Sequence, residues 1–267
     1  MNFRKAIIFI LGAAAIGWGV YYSLKYFTER ADEGMTFDQA IPAPVVEEEQ
    51  VIEAEPVPVP EIIPEVSVAA KPRTWPDVPF ISQAPTGEWA RSEFQNGCEE
   101  ASALMVAAWR TGKTYTPATA KQVLIAMARF QEKVIGQGVD TDVADTAEIL
   151  LRDYFDIADY EIVYDFTLDD LKRALAEGLV IVPTDGQTLK NPNFTQPGPL
   201  QHMLVITGYD AATQEFITND PGTRKGAGYR YPEATLYAAI REYPTGNHLP
   251  IKTERKAMIL VPALSIP

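Results

Sequence analysis

With 267 residues, 46% hydrophobic and 10% aromatic side chains, the chain holds enough apolar material for one sizeable core and is not a wholly disordered polypeptide. Its 36 Asp and Glu against 23 Lys and Arg leave a net charge of −13, which argues against a nucleic-acid binder, since that function needs a basic face. One cysteine excludes an internal disulfide framework and a multi-cysteine zinc site, and two histidines leave few ways to build another metal centre.

The charge is unevenly spread. Residues 1–30 carry Arg4, Lys5, Lys25 and Arg30 against Glu29, and residues 31–70 hold ten acidic residues and no basic one. Within the first stretch, Ala6 to Leu24 run uncharged for 19 residues, about the length that crosses a hydrocarbon core. Arg4 and Lys5 before the run place the N-terminus in the cytoplasm, and Trp18, Tyr21, Tyr22 and Tyr26 gather towards its far end as interfacial aromatics do. The run continues past Ala13–Ala15 with no small-x-small site after Leu24, so an uncleaved single-pass anchor is favoured over a cleaved signal peptide. Either reading puts the rest of the chain outside the cytoplasm, tethered to the cell membrane or secreted. A lone cysteine suits that compartment, because it has no internal partner to be oxidised with.

Residues 31–72 read as an acidic, proline-rich disordered linker. Prolines at 42, 44, 56, 58, 60 and 64 remove backbone donors and fix φ, and the like charges repel one another. Fully extended at roughly 3.1 Å per residue, such a linker reaches on the order of 120 Å.

Residues 73–267 form one domain. Cys98 to Trp109 is a buried helix of small and apolar residues. Thr116-Pro117 caps a second helix reaching about Lys133, and Asp142 to Phe155 is a third. Thr167 caps a fourth, closed by Gly178, and Leu179 to Pro183 is a short buried strand. His202 to Tyr209 and Gln214 to Asn219 are antiparallel neighbours joined by a turn at 210–213. A short helix over Pro232 to Arg241 and a strand over Lys256 to Val261 complete the domain. Helices first and strands later make this an α+β fold, with a helical part followed by an antiparallel sheet.

The chemistry concentrates on Cys98. Asn96-Gly97-Cys98 is a turn leading into a helix, and a thiol at a helix start meets unpaired N–H groups and a dipole that favour the thiolate. The alternative is a small buried hydrophobe. Glu99 and Glu100 oppose a thiolate unless they point away. A cysteine nucleophile needs a base. His202 opens an apolar strand and is the candidate; His248 lies in a loop and reads as solvated. Pairing of the two strands brings Asp220 within reach of His202 as its orienter, with Asn219 as the substitute. The backbone N–H of Cys98, with Gln83 or Gln95, supplies candidate oxyanion donors. Trp75, Trp89, Phe94 and the loop from Thr188 to Pro199 are candidates to border a cleft.

The order Gln, Cys at a helix start, His opening a strand and Asp after the next strand is similar to papain-like cysteine peptidases. The strings VPFISQAP, NGCEEASALM, QHMLVITGYD and FITNDPGT resemble, over residues 76–225, the bacteriocin-processing peptidase family (C-39) and its stand-alone relatives. The resemblance implies a papain-like fold with Cys98 as nucleophile, His202 as base, Asp220 as orienter and Gln83 as oxyanion donor. It implies a peptide or protein substrate and needs no cofactor or metal. Two departures stand out: Glu99-Glu100 follow the cysteine where the family often has small residues, and fifteen residues separate Gln83 from Cys98, an insertion at Thr86–Phe94. No GxxxxGK[ST] string accompanies the domain, so leader-peptide export is not implied. Two functions follow: an extracytoplasmic cysteine peptidase, with acyl transfer to an amine as a variant, or a non-catalytic papain-like module that binds a peptide or partner.

Overall fold

The computed structural model describes residues 73–136 and 139–264. The anchor and linker expected before residue 73 lie outside them. Among the described residues no helix is long and apolar enough to cross a membrane.

A short strand β1 (Arg73–Thr74) leads into α1 (Ser92–Gln95), α2 (Cys98–Thr111), α3 (Pro117–Ile135) and α4 (Val143–Asp145), which runs on as π-helix over Thr146–Tyr154. There follow β2 (Glu161–Tyr164), α5 (Leu168–Glu177), β3 (Gly178–Asp185) and α6 (Gly186–Leu189). The last third holds β4 (Gln201–Asp210), β5 (Glu215–Asn219), β6 (Tyr229–Pro232), α7 (Glu233–Ala239) and β7 (Ala257–Pro262). The domain is thus a mixed α+β fold. Its strands order as β2-β7-β3-β4-β5-β6, antiparallel at every pairing, with β1 added to β4 beyond the end of β3.

Both faces of this sheet are covered. On one face Leu179, Ile181, Met203, Val205 and Ile259 pack against Leu104, Leu124 and Leu150 of the early helices. On the other, Val180, Val182, Leu204 and Ile206 pack against Leu171, Leu175 and Leu236 of α5 and α7. Alternate residues of one strand therefore feed two cores, which is why β3 and β4 read as unbroken apolar runs instead of alternating ones.

Local signals set the element ends. Thr116 Oγ1 accepts from the Thr119 amide at 3.2 Å, with Pro117 in the first turn of α3. Thr167 and Asp170 form a reciprocal capping box on α5. Asp142 Oδ1 accepts from Asp145 N at 2.8 Å, and the helix it caps, expected as one α-helix, widens to π at Thr146. Gly178 closes α5 as expected but in extended backbone, so α5 passes straight into β3. The reason for glycine is close approach: a Cβ there would lie 2.0 Å from the Val261 carbonyl oxygen of β7.

Candidate active site

Cys98 is the first residue of α2, and its chain environment is fixed by what it abuts. Ala101, Leu104 and Met105 of the same helix are wholly buried, which drives α2 into the sheet. The helix start thereby meets β4, and Cys98 packs in the same buried cluster as Met203. Met203 follows His202, so this packing sets the cysteine beside the histidine-bearing end of the strand. The sulfur's side-chain partner is the Glu99 carboxyl, 3.1 Å from Sγ to Oε2. Burial, then the charges of Glu99 and Asp140, push the Cys98 thiol well up from its ordinary range. The resting sulfur is therefore a thiol donating to Glu99, and the helix start does not by itself make it a thiolate.

His202 and Asp220 form a buried pair. His202 Nε2 lies 2.8 Å from Asp220 Oδ1, and the two side chains are 2% and 0% exposed. The expected pairing of β4 with β5 makes this contact, with Val205 opposite Asn219 and a bulge between Ile206 and Gly208. Asp220 also accepts from the Gly222 amide at 3.0 Å, from Tyr231 Oη at 2.6 Å and from Asn191 Nδ2 at 3.2 Å. Burial alone raises its pKa; the adjacent imidazole and these hydrogen bonds outweigh that and hold the carboxyl below its usual range. The ring's other nitrogen, Nδ1, is the one left for chemistry in the cleft. Phe194 stacks edge-on against the ring at 5.2 Å, and Gly222 closes its face, where a Cβ would come 2.8 Å from Cε1.

Below the cysteine lies an acidic cluster. Glu99 is wholly buried and its Oε1 accepts from Tyr243 Oη at 2.7 Å. Burial and the neighbouring Asp140 raise its pKa. Asp140 is buried too and accepts from the His248 backbone N–H and lies 3.0 Å from its Nδ1. His248, expected as a solvated loop residue, is exposed but tied down by this contact. Glu100 is buried behind the site with Oε2 unpartnered, and burial raises it well above the carboxylate range.

Cys98, His202, Gln83 and Gly222 line one cleft of about 870 Å³, walled by Trp89 and by Phe194 to Gln201. The expected loop walls belong to it only from Phe194 onward. Trp75 and Phe94 do not border it: Trp75 packs edge-on to Trp109 and donates to the Leu175 carbonyl, and Phe94 is fully buried. Gln83 reaches the cleft, but its Nε2 donates to the carbonyls of Phe94 (2.7 Å) and Gln95 (3.4 Å) while Oε1 has no partner. Its amide straps the Thr86–Phe94 insertion to the cleft floor. Gln95 also lines the cleft. Asn219 is away from the histidine: it donates to the carbonyls of Val78 and Pro79 and accepts from Gly228 N, stitching the entering chain to β5.

The model of the Peptidase_C39 like family matches residues 76–246. The chain belongs to this Peptidase_C39-like family. No curated protein matches it. Membership makes the mixed helix-and-sheet domain a C39-like, papain-like peptidase fold, and the strings around Cys98, His202 and Asp220 are the parts of that fold which converge on the cleft. Asn191 and Tyr231, which hold the far oxygen of Asp220, lie outside the reach of the sequence reading. Tyr231 had one signal: Tyr229-Arg230-Tyr231 alternates as a strand does.

Proposed function

We propose that this chain is a membrane-tethered, extracytoplasmic cysteine peptidase that hydrolyses peptide bonds with Cys98, His202 and Asp220. The observation that carries the reading is the buried His202–Asp220 pair, 2.8 Å apart, whose histidine lines one cleft with a cysteine at a helix start. The uncharged run Ala6–Leu24 supports the tether. His202 Nδ1 takes the Cys98 proton as Sγ attacks the scissile carbonyl. The first-turn amide of Cys98 faces the developing oxyanion, with Gln83 joining it if its longer bond to Gln95 is released. The tetrahedral carbon then expels the amine, which leaves with the proton from His202, and a thioester remains. Water, deprotonated by His202, adds to the thioester; the acid departs and the thiolate recovers the proton. Throughout, Asp220 holds Nε2–H and steadies the imidazolium, as the orienting carboxylate of a triad does.

The contact between Sγ and Glu99 supports a second reading, a papain-like module that binds a peptide without turnover. Alkylation of Cys98 against pH in the full chain separates the two. Alkylation that is slowed at least tenfold at pH 7 by His202→Ala supports the peptidase. Equal rates in both proteins support the binding module.

A further inference from the structure

Past the catalytic histidine the cleft continues into a second hollow of about 420 Å³. Trp89, Thr195 and Gly222 line both spaces, so the two are contiguous. Gly222 is the residue closed against the His202 ring. Cys98, Gln83 and His202 line the cleft but not the hollow; Gly222, which borders both and lies against the His202 ring, puts the hollow next to the histidine. Its remaining lining is Asn193, Thr223, Arg224 and Lys225, two cations and no carboxylate. Both cations are exposed. The Arg224 guanidinium lies across Gly87, where it is backed by the Thr86–Phe94 insertion. Among the described residues neither Arg224 nor Lys225 makes an ion pair, whereas Arg110, Arg230 and Arg241 each hold a carboxylate. Cations without a carboxylate partner among the described residues, placed in a hollow beside a catalytic group, are arranged for an anionic ligand.

The direction of the substrate follows from the chemistry and rests on the peptidase reading. His202 returns its proton to the leaving amine, so the residues after the scissile bond extend over the histidine and into the hollow. We infer that Arg224 and Lys225 form a carboxylate-binding subsite for the portion of the substrate C-terminal to the cleaved bond. The carboxylate is either an Asp or Glu side chain or the peptide's own C-terminus; both offer the same planar acceptor to a guanidinium.

The test uses the full chain carrying Cys98→Ser, with three fluorescent peptides that share one neutral sequence. One has an acidic residue in its C-terminal half and an amidated end. One is neutral with a free carboxylate. One is neutral and amidated. Anisotropy titration is expected to show one or both carboxylate peptides binding about tenfold tighter than the neutral amide, the advantage vanishing in Arg224→Ala/Lys225→Ala and in 0.5 M salt. Arg224→Glu/Lys225→Glu is expected to favour a fourth, lysine-bearing and amidated peptide instead. Equal affinities, no binding of any peptide, or an advantage that survives the double alanine variant overturns the subsite. The unsubstituted chain is run on the same peptides with mass spectrometry. Cleavage placing the carboxylate before the scissile bond overturns the orientation. Charge-selective binding without cleavage leaves the carboxylate-binding role of Arg224 and Lys225 standing but overturns the peptidase reading and with it the site's place after a cleaved bond, so the two failures are distinct.

Discussion

Glu99 sits where a peptidase has least use for a negative charge. Its carboxyl is 3.1 Å from the sulfur, and its other oxygen is held by Tyr243. Ionised, it opposes the thiolate; neutral, it costs the sulfur little. Glu99→Gln keeps the shape and an acceptor for Tyr243 but removes the charge. The alkylation midpoint of Cys98 is expected to fall by about one pH unit, roughly a tenfold gain in thiolate at a given pH. An unmoved midpoint means the sulfur does not feel this carboxyl. Tyr231 acts one step further out. It and Asn191 share the Asp220 oxygen that does not face His202, and their own contact is 2.7 Å. Tyr231→Phe removes one hydrogen bond to a charged, buried group, an effect of about 1.5–3 kcal/mol. As a positioning residue it is expected to lower kcat on a cleaved peptide about tenfold and to raise the acid limb of the pH profile, with KM little changed. A loss confined to thermal stability would make the contact merely structural.

Elements were legible in the sequence to the extent that one face or one cap decided them. The helix at Cys98 and the β4–β5 pair were readable because an apolar stretch with clear turn residues at each end admits few structures. β2 and β6 were not: each has only four residues, half-buried, and is held as an edge by neighbours that no local pattern announces. Among site residues, Cys98, His202 and Asp220 stand at element ends marked by turns. Asp140 and Asn191 come from irregular chain and meet the site only through tertiary packing. Gly178 was legible as a terminator but not for its reason, since the β7 carbonyl that forbids a side chain is 83 residues away in sequence. Gly178→Ala is expected to destabilise the domain by about 3 kcal/mol, because the added carbon forces β3 and β7 apart at their pairing. Urea denaturation measures this. A loss below about 0.5 kcal/mol, the ordinary range for surface substitutions, would mean that the two strands yield freely there.

At the scale of the whole molecule the buried acids set the response to pH. Burial pushes Glu242 up to about 7, with nearby Asp142 adding to it, and raises Glu99, Glu100 and Asp140 as well. A carboxyl raised in the folded state binds a proton there that the unfolded chain has released. Stability from these groups is therefore complete below the unfolded pKa near 4.3 and declines as pH rises towards their folded values. Asp220, held below its usual range, works in the opposite sense: its contribution is present above the unfolded pKa near 3.9 and is lost as pH falls through its folded value. The two trends place maximal stability near pH 4–5, lower than a chain whose buried carboxylates are all paired. Glu242 isolates one part of the effect, because among the described residues its carboxyl accepts only from the Val143 and Tyr243 amides, which an amide oxygen can also satisfy. Glu242→Gln is expected to leave stability unchanged at pH 4 and to raise it at pH 8 by on the order of 1 kcal/mol, a fraction of the full shift because the side chain is partly solvated. Urea midpoints of the full chain at the two pH values decide it: an equal change at both would assign the effect to packing and not to the charge.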